Sequence, residues 1–285
     1  MGGDMTLANL IHVQHLKEKL DKKERLTVID VRFDLTDETY GYKVYQEGHI
    51  PTAIYLDLNK DLSRPVSKHG GKHPLPDLAS FVDILGKHGI NHHTKIVVYD
   101  DGRDMTAARL WWMLQAIGHR KVSILDGGLT AWKEAGLSLE TRLPKQKPTV
   151  YKAKQTYRHT INIEELKEKL KNKAAILVDS RSKARYLGKI EPLYHKAGHI
   201  PGAKNYFWKD VFTDYGQYKS KAMLKQHFKQ LPKDTPIIVS CGSGVSACPN
   251  IFALKKAGYD QIYLYPGGYS DWISYEDHRV ETKEE

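Results

Sequence analysis

IIVSCGSGVSACPNIFALKK, Ile237–Lys256, is the stretch whose reading decides the fold. Ile237, Ile238 and Val239, closed by Ser240, make the short apolar run of a buried strand. Cys241 follows, then a loop holding Gly242 and Gly244, then a helical apolar pattern through Val245, Ile251, Phe252 and Leu254. A strand that passes to a helix through glycines is the joint of an α/β unit. At such a joint, backbone N–H groups and the positive end of the helix dipole favour an anion, and a cysteine there is held as thiolate. The alternative is a buried packing thiol, against which the two glycines weigh. Both glycines are expected to take positive φ, so that the backbone curls round the sulfur. Pro249 fits only if it falls in the first turn of the helix.

Working outward, the chain repeats itself. LKEKL at Leu16–Leu20 ends an apolar helical pattern through Leu7, Leu10 and Ile11, and the same five residues end INIEELKEKL at Ile161–Leu170. Asn162 and Glu165 predict a capping box at the second of these helices. LTVIDVR (Leu26–Arg32) matches AILVDSR (Ala175–Arg181), each an apolar strand ending in Asp-x-Arg. EGHIPTA (Glu47–Ala53) matches AGHIPGA (Ala197–Ala203), and KIVVYDDG (Lys95–Gly102) matches PIIVSCGS (Pro236–Ser243). VSILDGGLTAW (Val122–Trp132) matches IYLYPGGYSDW (Ile262–Trp272). The blocks recur in one order at offsets of 140 to 150 residues, so the chain is a tandem duplication. Strands alternating with helical patterns predict α/β domains, each a central parallel sheet with helices on both faces. The expected boundaries are a first domain at residues 1–143, a linker at 144–158 and a second domain at 159–285. The linker is rich in lysine, holds two prolines and lacks apolar periodicity.

Composition narrows the function classes. The chain has 285 residues, a formal charge of +10 and a hydrophobic fraction of 40%, enough for real cores. Lysine is spread along the chain, which suits a solvated surface or the steering of a small anion. No recognisable nucleic-acid module accompanies the charge. No apolar run reaches the length of a membrane span, and the N-terminal stretch lacks the pattern of a secretory signal. The two cysteines, Cys241 and Cys248, form neither a disulfide framework nor a CxxC pair, which fits a reducing cytoplasm. The copies differ in chemistry: where the second places Cys241, the first has Asp100 or Asp101. Only the second can run cysteine chemistry; the first is structural, or lends residues to a cleft.

The paired GHIPxA, Asp-x-Arg and GGxxxW elements, together with Cys241-Gly242-Ser243-Gly244-Val245-Ser246, resemble a tandem-domain rhodanese-type sulfurtransferase. GGKHPLP (Gly70–Pro76) and AARLWWMLQAIGHRKVSILDGG (Ala107–Gly128) resemble the first domain of that family. The resemblance runs from about Leu7 to Trp272. It implies that Cys241 takes a sulfane sulfur from a small anionic donor, becomes a persulfide and passes the sulfur on. The acceptor would be cyanide, a small thiol or thioredoxin, with no cofactor. It assigns the donor's cradle to Gly242, Gly244, Val245 and Ser246, and a hydroxyl hydrogen bond to Ser243. Cysteine phosphatases place an arginine six residues after the cysteine; that position is Ala247 here.

For the donor, the resemblance offers 3-mercaptopyruvate or thiosulfate, and Cys-Gly-Ser-Gly-Val tilts toward the first. Arg185 in ARYLG matches the arginine that binds the donor's anionic group. The animal mercaptopyruvate enzymes carry a second arginine a few residues later. Lys189–Pro201 contains none, leaving Lys189 or Lys196 as partial substitutes. A Ser-His-Asp relay proposed for such members would draw on Ser243 and His49, with Asp37 as the acid. His199 repeats His49 in the second copy, so a role for each histidine in its own turn is the alternative. A different class, a rhodanese-like binding or persulfide-carrier module without turnover, is the rival to an enzyme. Cys248 is read as a packing thiol, with a resolving role as the alternative.

Overall fold

The computed structural model describes residues 8–283, so Leu7 of the first helical pattern lies outside it. The chain forms two compact units. The first takes the chain up to Arg64, Pro76–Arg158 and Phe212–Tyr218; the second takes Pro65–Leu75, His159–Val211 and Lys219 onward.

In the first unit the elements run β1 (Leu10–Ile11), α1 (Val13–Asp21), β2 (Thr27–Asp30), α2 (Tyr40–Glu47), β3 (Ile54–Tyr55) and α3 (Leu78–Lys87). They continue with β4 (Ile96–Tyr99), α4 (Thr106–Ala116), β5 (Val122–Leu125) and α5 (Gly128–Glu134). The strands pair in parallel in the order β1-β5-β4-β2-β3, flanked by helices. The apolar pattern predicted to be one helix splits here. Leu10 and Ile11 pair with Ile124 and Leu125 as an edge strand, and α1 starts only after His12, whose ring caps Gln14. Strand pairing at the sheet edge outweighs the helical spacing of those two residues.

The second unit contains α6 (Ile163–Lys171), β6 (Ile176–Asp179), α7 (Lys183–Tyr186), β7 (Lys204–Asn205) and a 3₁₀ turn at Trp208–Val211. Then come α8 (Lys221–His227), β8 (Ile237–Ser240), α9 (Cys248–Ala257), β9 (Ile262–Leu264) and α10 (Gly268–Trp272). Its parallel sheet has the order β7-β6-β8-β9. The Asn162–Glu165 capping box is formed, and Pro249 sits in the first turn of α9, where its missing N–H costs nothing. The two cores repeat one another: Leu16, Ile50, Ala53, Leu129 and Trp132 in the first recur as Leu166, Ile200, Ala203, Tyr269 and Trp272 in the second.

The repeated motifs have a shared physical job. Asp30 takes both Nε and a terminal nitrogen of Arg32, whose guanidinium also donates to the Gly48 carbonyl at 2.8 Å. Asp179 and Arg181 do the same for Gly198 at 2.7 Å. Each buried ion pair thus ties a strand end to the start of its GHIP turn, satisfying charge and backbone together. Residues 144–158 carry no helix or strand, yet they are anchored: Thr149 N–H donates to Gly86 and Arg158 N–H to Ala116. Among the described residues, no helix is long and apolar enough to cross a membrane.

One buried group gives the first unit a pH dependence. His119 is 1% exposed, its Nδ1 lies 3.1 Å from the Tyr151 hydroxyl, and burial pushes its pKa down to about 4. Unfolding frees the imidazole to take a proton, so its contribution to stability is full above the unfolded pKa and is lost as pH falls from about 6.5 toward 4. The expected loss is on the order of 3 kcal/mol. Denaturant unfolding at pH 7.5 and pH 5 should show a smaller pH effect in His119→Gln; an unchanged difference between the two pH values would refute this assignment.

Candidate active site

Strand β8 delivers Cys241 to the carboxyl edge of the second sheet, where sites in parallel sheets gather. The residue is 1% exposed. Its Sγ accepts the Gly244 N–H at 3.1 Å, so the loop turns a backbone dipole onto the sulfur. Gly244 has φ +78, and a Cβ there would lie 2.3 Å from the Pro266 carbonyl oxygen. Gly242 differs from expectation, since it is not among the positive-φ glycines. Close approach takes its place: an added Cβ would stand 2.6 Å from the Tyr194 hydroxyl oxygen, so a side chain there would have to displace the phenol. Gly244→Ala is therefore expected to cost about 1–3 kcal/mol of stability, read by denaturant unfolding, and to lower activity by displacing the loop N–H.

The GGxxxW element holds the loop from behind. Tyr269 N–H donates to the Cys241 carbonyl at 2.7 Å and Ser270 N–H to the Gly242 carbonyl at 2.9 Å. The first unit repeats the arrangement, with Leu129 N–H on Asp100 and Thr130 N–H on Asp101. Strand register removes the one-residue slack. Asp30 pairs with Tyr99 as Asp179 pairs with Ser240, so Asp100 stands where Cys241 does. Asp100 turns its oxygens onto its own loop, accepting from Gly102 N–H and Ala107 N–H at 3.0 Å each, while burial pushes its carboxyl up to about 6. The first loop is closed on an internal carboxylate and offers no nucleophile.

Ser243 does not answer to His49. Its Oγ lies 2.8 Å from Nδ1 of His73, in GGKHPLP. His49 is spent on its turn, with Nδ1 2.8 Å from the Tyr45 carbonyl and its ring stacked on Tyr45 at 4.2 Å. His199 repeats both contacts with Tyr186, at 2.7 Å and 3.7 Å. Asp37 is likewise committed, accepting from the Thr39 N–H and hydroxyl. His73 arrives on a strap, residues 65–75, that belongs to the second unit although it lies in the first half of the sequence. Gly70 N–H donates to Asp271 at 2.7 Å, Lys72 N–H to Ser270 at 3.2 Å, and His69 meets Ser274 at 2.7 Å. At Gly71 a Cβ would lie 2.3 Å from the Gly267 carbonyl oxygen, so glycine is what lets the strap lie flat. The second copy has a counterpart to the strap in Phe212–Tyr218, which belongs to the first unit, but that segment carries no histidine, and the unrepeated GGKHPLP was the signal for His73 in the sequence.

Arg185, in the last turn of α7, has a side chain only 17% exposed. Its guanidinium donates to both carboxylate oxygens of Glu191, at 2.7 Å and 3.3 Å, and Arg181 shares Oε2 of the same carboxylate at 3.2 Å. Its Cζ is 5.2 Å from the Tyr194 ring centre, and Tyr194 reaches the loop at Gly242. Lys196 donates to the His278 carbonyl at 2.6 Å. Val245, Ala247 and Cys248 are buried, while Ser246 is partly exposed; Cys248 Sγ donates to the Gly244 carbonyl at 3.5 Å. Ala247 leaves the loop without the guanidinium a phosphate would need.

Known proteins match this architecture throughout. The model of the rhodanese-like domain fits twice, at residues 12–135 and 162–275. A Pseudomonas aeruginosa protein named "Probable 3-mercaptopyruvate sulfurtransferase" is 40% identical over 95% of this chain and 96% of its own length. The thiosulfate sulfurtransferase of Mus musculus is 34% identical over 87% of this chain and 85% of its own. The crystal structure of a 3-mercaptopyruvate sulfurtransferase from Escherichia coli, 31% identical, covers 93% of this chain and all of the other with a TM-score of 0.79. A repeat that is visible in the sequence, in both sheets and in both cores is thus accounted for: the chain belongs to the rhodanese-like family of sulfurtransferases, with two copies of the domain.

Proposed function

We propose that the chain moves a sulfane sulfur from 3-mercaptopyruvate or thiosulfate, through a persulfide on Cys241, to cyanide or a thiol acceptor such as thioredoxin. The observation that carries this reading is the Cys241 loop, with Gly244 N–H on the sulfur and the Ser243–His73 pair beside it. The Cys241 thiolate attacks the donor's outer sulfur. With thiosulfate the S–S bond breaks and sulfite leaves with the electron pair. With 3-mercaptopyruvate the C–S bond breaks and the pair leaves on the enolate of pyruvate, which must gain a proton. Ser243, backed by His73, is placed to deliver it. The loop N–H that meets Sγ is also a donor for the negative terminal sulfur of the persulfide, as in an oxyanion hole. A thiol or cyanide then attacks that terminal sulfur and returns Cys241 as thiolate. Initial rates over both substrates test the scheme. A persulfide enzyme gives parallel double-reciprocal lines. Intersecting lines, or sulfur uptake without turnover as for a carrier, would go against it.

A further inference from the structure

Tyr194 lies between the two functional features of the site, and nothing in the transfer scheme uses it. Its hydroxyl fills the space that a side chain at Gly242, the residue after Cys241, would need, and its ring packs 6.1 Å from that of Tyr269 and beside Arg185. Burial first, and the charge of Cys241 next, hold its phenol above the ordinary range, with Arg185 acting the other way. The hydroxyl therefore keeps its proton and stands as a neutral donor at the Cys241 loop.

The charges around it cancel. Arg181 and Arg185 face Asp179 and Glu191, with Arg181 bonded to both carboxylates and Arg185 to Glu191. The Glu191 side chain is 3% exposed, so its charge is screened little by solvent. An incoming anion thus meets a guanidinium whose charge is already answered. Lys68 and Lys72 line a cavity of about 220 Å³ that also touches Tyr194, but both are exposed, where an ion pair is worth little.

We propose that Tyr194 is a specificity-determining residue of the transfer site: its hydroxyl, in place of a second cation, meets the donor's oxygens and selects a singly charged donor over a doubly charged one. The inference rests on the sulfur-transfer reading. 3-Mercaptopyruvate carries one carboxylate, which one hydrogen bond and one paired arginine can hold. Thiosulfate is a dianion, and burying it needs a net positive charge that this cluster does not supply.

The test compares both donors on the same enzyme sample with Tyr194→Phe and Tyr194→Arg. Because any unfolded fraction lowers both rates alike, the ratio of the two kcat/KM values is independent of how much protein is folded. Tyr194→Phe is expected to raise KM for 3-mercaptopyruvate about tenfold with kcat changed by less than about twofold. Tyr194→Arg is expected to shift the ratio toward thiosulfate by about tenfold or more. A Phe variant with both KM values unchanged, or an Arg variant with an unchanged ratio, would overturn the role of Tyr194. Wild-type protein that turns over neither donor would instead overturn the sulfur-transfer reading itself.

Discussion

Cys241→Ser is expected to lose sulfur transfer by a factor of about 10³ or more while keeping its fold. The expectation follows from what the site offers in place of the thiol. A serine oxygen can accept the Gly244 N–H that now meets Sγ, and the Tyr269 and Ser270 N–H groups bind loop carbonyls that the substitution leaves alone. Stability should therefore change little, and the loss reads as chemistry. No other residue takes over: Cys248 opens α9 with its sulfur on the Gly244 carbonyl, and the matching place in the first unit holds Asp100. The check is steady-state turnover with each donor beside thermal unfolding of the same preparation. Retained turnover would mean that the nucleophile lies elsewhere.

His73→Asn should lower kcat with 3-mercaptopyruvate by about 100-fold, the usual scale for removing a group that moves a proton. The effect on thiosulfate should be smaller, since sulfite leaves without needing a proton. His49→Gln should behave in the opposite way. Its ring is fully buried against Tyr45 and its Nδ1 meets a carbonyl, so the variant is expected to lose about 1–3 kcal/mol of stability. The folded fraction should keep its kcat. Measuring kcat with both donors and unfolding midpoints for the two variants separates these roles. Equal loss of kcat in both would restore His49 to the relay.

Much of this was legible in the sequence because it is carried by local pattern. The repeat, the strands at Leu26–Arg32 and Ile237–Ser240, the Asn162 cap and the Cys241 loop each depend on residues close in the chain. What escaped is long-range. His73 reaches Ser243 across 170 positions on a strap without helix or strand, so neither periodicity nor propensity points to it. Tyr194 likewise sits in an irregular loop, and only the folded unit shows its oxygen against Gly242. Leu10 and Ile11 fit a helical spacing but find better partners at the sheet edge. Gly242 was expected to take a left-handed backbone, yet what marks its position is the approach of a neighbouring phenol.

The most direct test of the account is mass spectrometry of the protein after exposure to 3-mercaptopyruvate or thiosulfate without acceptor. The account predicts an added mass of about 32 Da, one sulfur, on the peptide that carries Cys241, removed on adding cyanide or a thiol. An unmodified Cys241 peptide with either donor, or the added sulfur on Cys248 alone, would contradict it.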